Sequence, residues 1–154
     1  MRNLIQGYFK PKHPEKYRGD PTKICFRSSW ERVLCKFFDE NPLVVQWASE
    51  ELVVPYYDQA TQKQRRYFPD FLVKFKRGES LYETVMVEVK PYDQTQPPRQ
   101  PKRVTKKTQA RLLEETETYI TNQCKWEAAR EFCAQRGWKF MIMTEKEIFG
   151  GRAP

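Results

Sequence analysis

The stretch "YFPDFLVKF" (67–75), followed by "YETVMVEVK" (82–90), decides the fold of this 154-residue chain. Both runs are short and rich in aromatic and β-branched residues, and the link "KRGES" between them contains a glycine and has hairpin length. The pattern predicts two antiparallel strands. It also raises a question, because Asp70 places an acid inside an otherwise apolar strand.

Three ionisable side chains meet if these strands pair. Residues two apart on a strand face the same side, so Glu88 and Lys90 project together, and an antiparallel neighbour can bring Asp70 beside Glu88. Two carboxylates at close range repel each other, so the pair is expected only with a positive group between them. Oxygen ligands without histidine or thiolate favour Mg²⁺ or Mn²⁺. The sequence therefore predicts a metal-assisted phosphodiester site, in which Lys90 orients water or neutralises charge.

A simpler interpretation needs no metal. Asp70 and Glu88 could lie on the solvent side of a half-exposed hairpin, with Lys90 as an ion-pair partner that contributes less than about 1 kcal/mol. Three features favour the metal site instead: Pro69 before the acid, apolar residues on both sides of it, and a second strand that is apolar on both faces.

Composition narrows the class of protein. Lys and Arg number 28 against 20 Asp and Glu, a formal net charge of +8 that favours a nucleic-acid partner. The only histidine is His13, which excludes histidine triads and multi-histidine metal sites. The four cysteines form no CxxC pair, so a structural zinc is not expected. Without a long apolar run or a signal core, we expect a cytoplasmic protein with no membrane partner.

The rest of the chain predicts its organisation. Residues 1–24 are basic and broken by proline and glycine, which indicates an extended N-terminal arm, and 25–150 should form one domain. The expected order is a helix from Ser28 to Asn41, one or two strands around 43–47 and 51–57, a turn at 58–66, the hairpin, a proline-rich loop, one or two helices that end at Gly137, a strand and a short helix. This order predicts an α/β fold with a mixed central sheet flanked by helices.

These residues carry a resemblance. "PDFLV" followed by "VEVK" resembles the motif of the PD-(D/E)xK nuclease superfamily. "FRSSWERVLCKFFDEN" and "KWEAAREFCAQRGWKFMIMTEKEI" are similar to segments of its TnsA-type endonuclease branch, and "GDPTKICFRSSWE" most resembles the head completion nucleases of tailed phages. The resemblance covers 27–148. It implies a restriction-endonuclease-like core and metal-dependent hydrolysis of double-stranded DNA.

The resemblance also assigns roles. Asp70 and Glu88 would bind the metal together with the backbone carbonyl of Val89, and Lys90 would be the catalytic lysine. Glu31 on the first helix would complete the cluster, directly or through water. Ser28-x-x-Glu31 fits a capping box equally well, so both roles stay open for this glutamate. Two residues of the later helix, Gln123 and Lys125, could face the site or a phosphate, or could simply be solvated.

Basic residues flank the proposed site on both sides in sequence. Phosphate contacts from such residues supply salt-sensitive affinity without sequence information, and the alternative is that they serve solubility. The candidate DNA-binding residues are Lys63, Arg65, Arg66, Lys102, Arg103, Lys106 and Lys107. With no recognition helix apparent, we expect little sequence specificity.

The expected function is a DNA endonuclease that acts in phage head completion and packaging maturation, in the host cytoplasm or in the virion, in contact with phage head or portal proteins. One alternative is a structural head–neck protein that keeps a nuclease fold and binds DNA. Another is a transposition endonuclease of the TnsA type, which would usually carry a second domain for which this chain has no room.

Overall fold

A computed structural model describes residues 6–150, and the expected sequence of helices and strands is largely present in it. Two 3₁₀ turns, Pro14–Lys16 and Tyr92–Thr95, accompany the main elements. These elements are β1 (Gly7–Phe9), β2 (Ile24–Phe26), α1 (Ser29–Glu40), β3 (Val44–Ser49), β4 (Val54–Asp58), β5 (Lys63–Tyr67), β6 (Phe71–Gly78), β7 (Leu81–Val89), α2 (Lys106–Arg136), β8 (Lys139–Met143) and α3 (Glu145–Phe149).

The centre of the described chain is a four-stranded mixed sheet in the order β3-β6-β7-β8. β6 and β7 form the antiparallel hairpin that the sequence predicts, with Phe71 opposite Val87. The bounds of its first strand differ from the predicted 67–75: β6 begins at Phe71, Asp70 lies just before it, and Tyr67 ends β5. β3 pairs antiparallel with β6, while β8 returns after α2 to pair parallel with β7. The predicted α/β class, with a mixed central sheet flanked by helices, is therefore confirmed, and it fits a restriction-endonuclease-like core.

Helices cover both faces of this sheet. On one face α1 contributes Trp30, Leu34 and Phe38 to a cluster that includes Val85 and Val87 of β7. On the other face α2 contributes Trp126, Ala129 and Cys133 to a cluster around Met86. A strand buried on both sides must be apolar at successive positions, which explains the sequence of β7. By the same alternation, Glu88 lies on the α2 side, with Met86.

The segment predicted to be a turn, 58–66, contains a strand. β5 pairs antiparallel with β4, and the two form a separate two-stranded sheet. Of the five residues of β5 only Tyr67 is buried. A strand so exposed needs no apolar alternation, so the polar letters "KQRR" carried no strand signal.

α2 is a single helix of 31 residues, which resolves the open choice between one helix and two. Thr105 caps its N-terminus with a side chain that accepts from the N–H of Thr108, and Gly137, with φ = 71°, caps its C-terminus. Its buried residues, from Asn122 to Cys133, all lie in the C-terminal half. The first half therefore has no continuous apolar face from which its length could be predicted.

The N-terminal segment packs more closely than its composition predicts. Strand β1 pairs with β2, and the buried Tyr17 exchanges hydrogen bonds with the backbone of Ser49. The buried Asp39 accepts from the N–H groups of Lys12 and His13. The described part of the arm is held by aromatic and backbone contacts, which proline and charge counts do not reveal. Residues 1–5 of the predicted arm lie outside the described residues.

Asp58 joins the β4–β5 hairpin to α2. Its buried carboxylate accepts from the hydroxyls of Thr61 (3.0 Å) and Thr121 (2.9 Å) and from the N–H of Ala60 (3.0 Å), and Arg65 lies 3.6 Å away. Burial works against its charge, but these hydrogen bonds outweigh it and lower the pKa of Asp58.

Asp58→Ala should therefore lower the free energy of unfolding by about 3 kcal/mol, because it leaves buried donors without an acceptor. Urea unfolding at pH 7 measures the loss, with the exposed Asp93→Ala as control. Since the folded pKa is lowered, the contribution exists above the ordinary value of 3.8 and disappears on acidification. The two unfolding curves should therefore approach each other below about pH 4. A constant difference down to pH 2 would contradict this assignment.

Candidate active site

The two acids of the sequence motif lie side by side where β6 begins and β7 ends. Phe71 pairs with Val87, so Asp70 stands one step further along the same register, opposite Glu88. Opposite residues of an antiparallel pair share a face of the sheet. Oδ2 of Asp70 accepts from the N–H of Val89 at 2.7 Å. The carbonyl of Asp70 accepts from the N–H of Glu50 at 3.2 Å, so main chain holds this residue on both sides.

Glu88 is buried and both of its carboxylate oxygens have partners. Oε1 lies 3.5 Å from Nζ of Lys90, and Oε2 accepts from the hydroxyl of Tyr67. The backbone N–H of Lys90 donates to the carbonyl of Met143 at 3.0 Å, which anchors the lysine beside β8. The structure thus brings together Asp70, Glu88 and Lys90 as the strand spacing predicts.

The two acids destabilise each other's charge. Burial, followed by the charge of Glu88, raises the pKa of Asp70 well above its ordinary value, against the opposing N–H of Val89. Burial also raises the pKa of Glu88, while Lys90 and the Tyr67 hydroxyl oppose the rise. Burial and Glu88 together raise the pKa of Tyr67, so its hydroxyl stays protonated and donates. A further positive charge in this position would favour the ionised form of both acids.

These donors fit a hard divalent cation as a partial ligand set. Within residues 6–150, no three His, Cys, Asp or Glu side chains form a ready metal-binding group. Two carboxylates are nevertheless what Mg²⁺ usually takes from a protein, with water and substrate oxygens completing its shell. Asp70 and Glu88 supply those two, and the carbonyl of Val89 stays a predicted third ligand.

Glu31 is buried at the start of α1 and caps that helix. Its carboxylate accepts from the N–H of Arg27 (3.1 Å) and the hydroxyl of Ser28 (3.3 Å), while Oγ of Ser28 accepts from the N–H of Glu31 (3.2 Å). The capping alternative is therefore present, although the glutamate bonds the residue before the N-cap. Its charge still contributes to the raised pKa of Asp70, after burial and Glu88. A metal-binding role for Glu31 stays a prediction.

A cleft of about 630 Å³ opens over Asp70 and Glu88. Lys125 of α2 lines it, with Nζ 5.7 Å from the ring centroid of Tyr67. Burial, followed by the charge of Lys90, lowers the pKa of Lys125. Of the two α2 residues considered from sequence, Lys125 therefore reaches the site, and Gln123 is not among the residues that line the described cleft.

Tyr67 and Glu50 are two of the cleft residues that were not predicted as part of the site. Tyr67 begins the decisive stretch, but an aromatic residue on a strand usually indicates packing, so its letter alone did not suggest a contact with Glu88. Glu50 has φ = 54°, lies in the cleft and pairs with Arg27 at 3.1 Å. Burial, and then Glu31 and Glu88, raise its pKa against the effect of Arg27. Its place in the run "SEEL" gave no signal.

The candidate DNA-binding residues fall into two separate groups. Lys63, Arg65 and Arg66 lie on exposed β5, and Arg66 lines the cleft. Lys102, Arg103, Lys106 and Lys107 are also exposed, but they lie at or before the start of α2. At 1.5 Å per residue, Lys106 is about 28 Å along the helix from Lys125. Of these seven residues, only Arg66 is among those that line the described cleft.

Bilayer-spanning helices are not found among residues 6–150, because none is both long and apolar enough.

Two comparisons relate this geometry to known proteins. Residues 41–145 match the family model described as TnsA-like endonuclease N terminal. The head completion nuclease of Enterobacteria phage T4 is 41% identical to this chain over 139 residues, which cover 90% of each protein. The matched region contains Asp70, Glu88 and Lys90.

Proposed function

This chain belongs to the TnsA-like endonuclease family, and we propose that it is a metal-dependent deoxyribonuclease that hydrolyses phosphodiester bonds of double-stranded DNA with little sequence specificity. One observation carries the proposal. Asp70 and Glu88 stand opposite each other at one end of the central sheet and line an open cleft, and Nζ of Lys90 lies 3.5 Å from Glu88. A merely structural ion pair would not need a second acid beside the first.

In this proposal Asp70, Glu88 and the carbonyl of Val89 would hold Mg²⁺ or Mn²⁺. When bound, such an ion polarises a phosphoryl oxygen and lowers the pKa of a coordinated water. Lys90 donates to the phosphate and offsets the negative charge that grows on its oxygens. Tyr67 fixes one oxygen of Glu88 by donating to it, and so limits the rotation of that carboxylate.

Cations on the cleft walls would hold the DNA backbone. Lys125 and Arg66 both line the cleft, so each can reach a phosphate near the reacting bond. Contacts of this kind position the duplex without reading its bases. We therefore propose that DNA structure or a partner protein, rather than sequence, determines where the chain cuts.

The biological setting rests on the phage relative. Because a protein named head completion nuclease shares 41% of residues over 90% of this chain, we propose that this chain acts on DNA during phage head completion. It would do so in the host cytoplasm or in the virion, with head or portal proteins as partners.

Plasmid cleavage tests the proposed reaction. Wild type, Asp70→Ala and Lys90→Ala are each incubated with supercoiled DNA and Mg²⁺ or Mn²⁺, and nicked and linear products are followed on a gel. Cleavage by the wild type alone supports the proposal. Equal cleavage by all three proteins would assign the activity to another site. Binding without cleavage by the wild type would favour a structural DNA-binding role.

Arg66→Ala should weaken DNA binding roughly uniformly across sequences and reduce the slope of log affinity against log salt by about 1. Arg66 is exposed and lines the cleft, so it can neutralise one DNA phosphate. Each phosphate that is neutralised releases about one counterion from the DNA. Fluorescence anisotropy over a series of salt concentrations measures the slope. Lys36→Ala removes an exposed charge on α1, away from the cleft, and should leave the slope unchanged. A sequence-dependent loss would contradict the assignment.

A further inference from the structure

A second groove lies directly beside the catalytic cleft. It has a volume of about 560 Å³ and runs between α2 and the segment that follows Lys90. Asp93, Gln96 and Pro98 line one wall, and Tyr119 and Asn122 of α2 line the other. Asn122 precedes Lys125 by three residues, which is about 4.5 Å of helix rise. The groove therefore begins within one helical turn of the cleft.

Asn122 gives this groove a polar group that is available to a ligand. The residue is only 6% exposed, it lines the groove, and none of the side-chain hydrogen bonds within residues 6–150 involves its amide. Among the described residues, the buried side-chain polar atoms without a partner are the indole nitrogens of Trp47 and Trp126, so the Asn122 amide is open to the groove and not sealed from water. Asp39 and Asp58, which are buried in the same protein, each accept several hydrogen bonds. Asn122 instead presents donors and an acceptor to an open groove.

The charges around the groove disfavour a phosphate. Its only basic side chain, among the described residues that line it, is Arg111, and Nε of Arg111 lies 3.6 Å from Glu115. Asp93 and Glu114 add negative charge at the rim. A neutral, flat ligand with amino groups suits this setting better than an anion. An amide can bond such a ligand through a donor and an acceptor at once, and the Tyr119 ring can stack on it.

We propose that the groove binds an unpaired nucleobase of the DNA strand whose phosphate lies in the catalytic cleft. This inference rests on the proposed function and specifies its substrate class: duplex DNA that carries unpaired nucleotides beside the bond to be cut. Asn122 bonds the polar edge of the base and Tyr119 stacks on its face. The phosphates stay on the basic side, near Lys90 and Lys125.

Fluorescence binding with catalytically inactive protein separates this site from the chemistry. The Asp70→Asn protein, without divalent metal, is titrated into duplexes whose 3′ or 5′ overhang contains 2-aminopurine. Control duplexes carry an abasic residue at that position or end blunt. With the base present we expect quenching and roughly tenfold tighter binding than with the abasic residue, because one stacked and bonded base is lost there.

Three variants assign the effect to the groove. Asn122→Leu keeps the branching and the number of side-chain heavy atoms and removes the amide, and Tyr119→Leu removes the ring, so each should abolish most of the preference for the base. Gln135→Leu makes the same amide-to-leucine change on an exposed part of α2 and should keep the preference. Thermal unfolding checks that each variant is folded, and Tyr119→Leu provides the test if Asn122→Leu is not.

The outcomes distinguish the two proposals. Equal affinity for base and abasic overhangs, or an unchanged preference in both groove variants, would overturn the groove assignment even if the wild type cleaves plasmid DNA. If quenching depends on Asn122 and Tyr119 but the wild type does not cleave DNA, the groove assignment is supported and the nuclease proposal is rejected.

Discussion

Lys90→Met should lower the rate of DNA cleavage by about three orders of magnitude, with little change in DNA affinity. Methionine keeps the length and apolar volume of the side chain but removes the ammonium group 3.5 Å from Glu88. That charge acts on the phosphate mainly as negative charge develops there, so its loss raises the barrier more than it weakens binding. Single-turnover cleavage at saturating protein gives the rate, and anisotropy gives the affinity.

Lys76→Met is the matched control, since Lys76 is an exposed lysine of the β6–β7 hairpin outside the cleft. It should cleave at the wild-type rate. If Lys90→Met instead kept the rate and lost affinity, Lys90 would be one more phosphate contact, and the catalytic role would belong to another group such as Lys125.

Asp70→Asn should abolish cleavage and at the same time stabilise the metal-free protein by about 2 kcal/mol at neutral pH. Asparagine keeps an oxygen that can accept from the N–H of Val89, but it removes a charge that burial and Glu88 both oppose. Replacing one of two mutually repelling acids therefore relieves the folded state. Urea unfolding in the presence of EDTA measures the gain.

The pH dependence of this gain in stability follows from the direction in which the pKa of Asp70 is shifted. The folded pKa of Asp70 is raised above the ordinary value of 3.8, so the folded state holds its proton more tightly than the unfolded state does. Below pH 3.8 the Asp70 carboxyl is protonated in both the folded and the unfolded state, so wild type and Asp70→Asn should be nearly equal in stability. As pH rises toward the folded pKa, wild type should lose stability relative to Asp70→Asn. If the wild type were more stable than Asp70→Asn at neutral pH in EDTA, the proposed repulsion between Asp70 and Glu88 would be contradicted.

The hairpin and its acids could be predicted because strand geometry imposes them. A period of two fixes Glu88 and Lys90 on one face, and a link of hairpin length indicates that β6 and β7 pair. The register that places Asp70 opposite Glu88 includes a shift between Lys76 and Gly78, which the link length does not predict. The start of α1 and both ends of α2 could also be predicted, because N-cap residues and a C-cap glycine in the left-handed conformation are recognisable in the local sequence. These features depend on neighbours in sequence.

What could not be predicted depends on contacts between distant residues. β5 is an exposed strand whose only buried residue is Tyr67, so neither alternation nor propensity marks it. Glu50 enters the cleft through a left-handed backbone conformation that its sequence does not require. Lys106 follows Lys90 closely in sequence, yet a continuous α2 carries it about 28 Å from Lys125. Clustering along the chain is therefore a poor guide to clustering in space for these charges.

The most direct test of the central claim is calorimetric titration of Mn²⁺ into metal-free wild type and Asp70→Asn, with cleavage measured in parallel with and without EDTA. If Asp70 and Glu88 hold a catalytic cation, the wild type should bind about one Mn²⁺ ion, and Asp70→Asn should bind it at least tenfold more weakly. EDTA should stop cleavage by the wild type. Identical Mn²⁺ binding by both proteins, or cleavage that persists in EDTA, would contradict it.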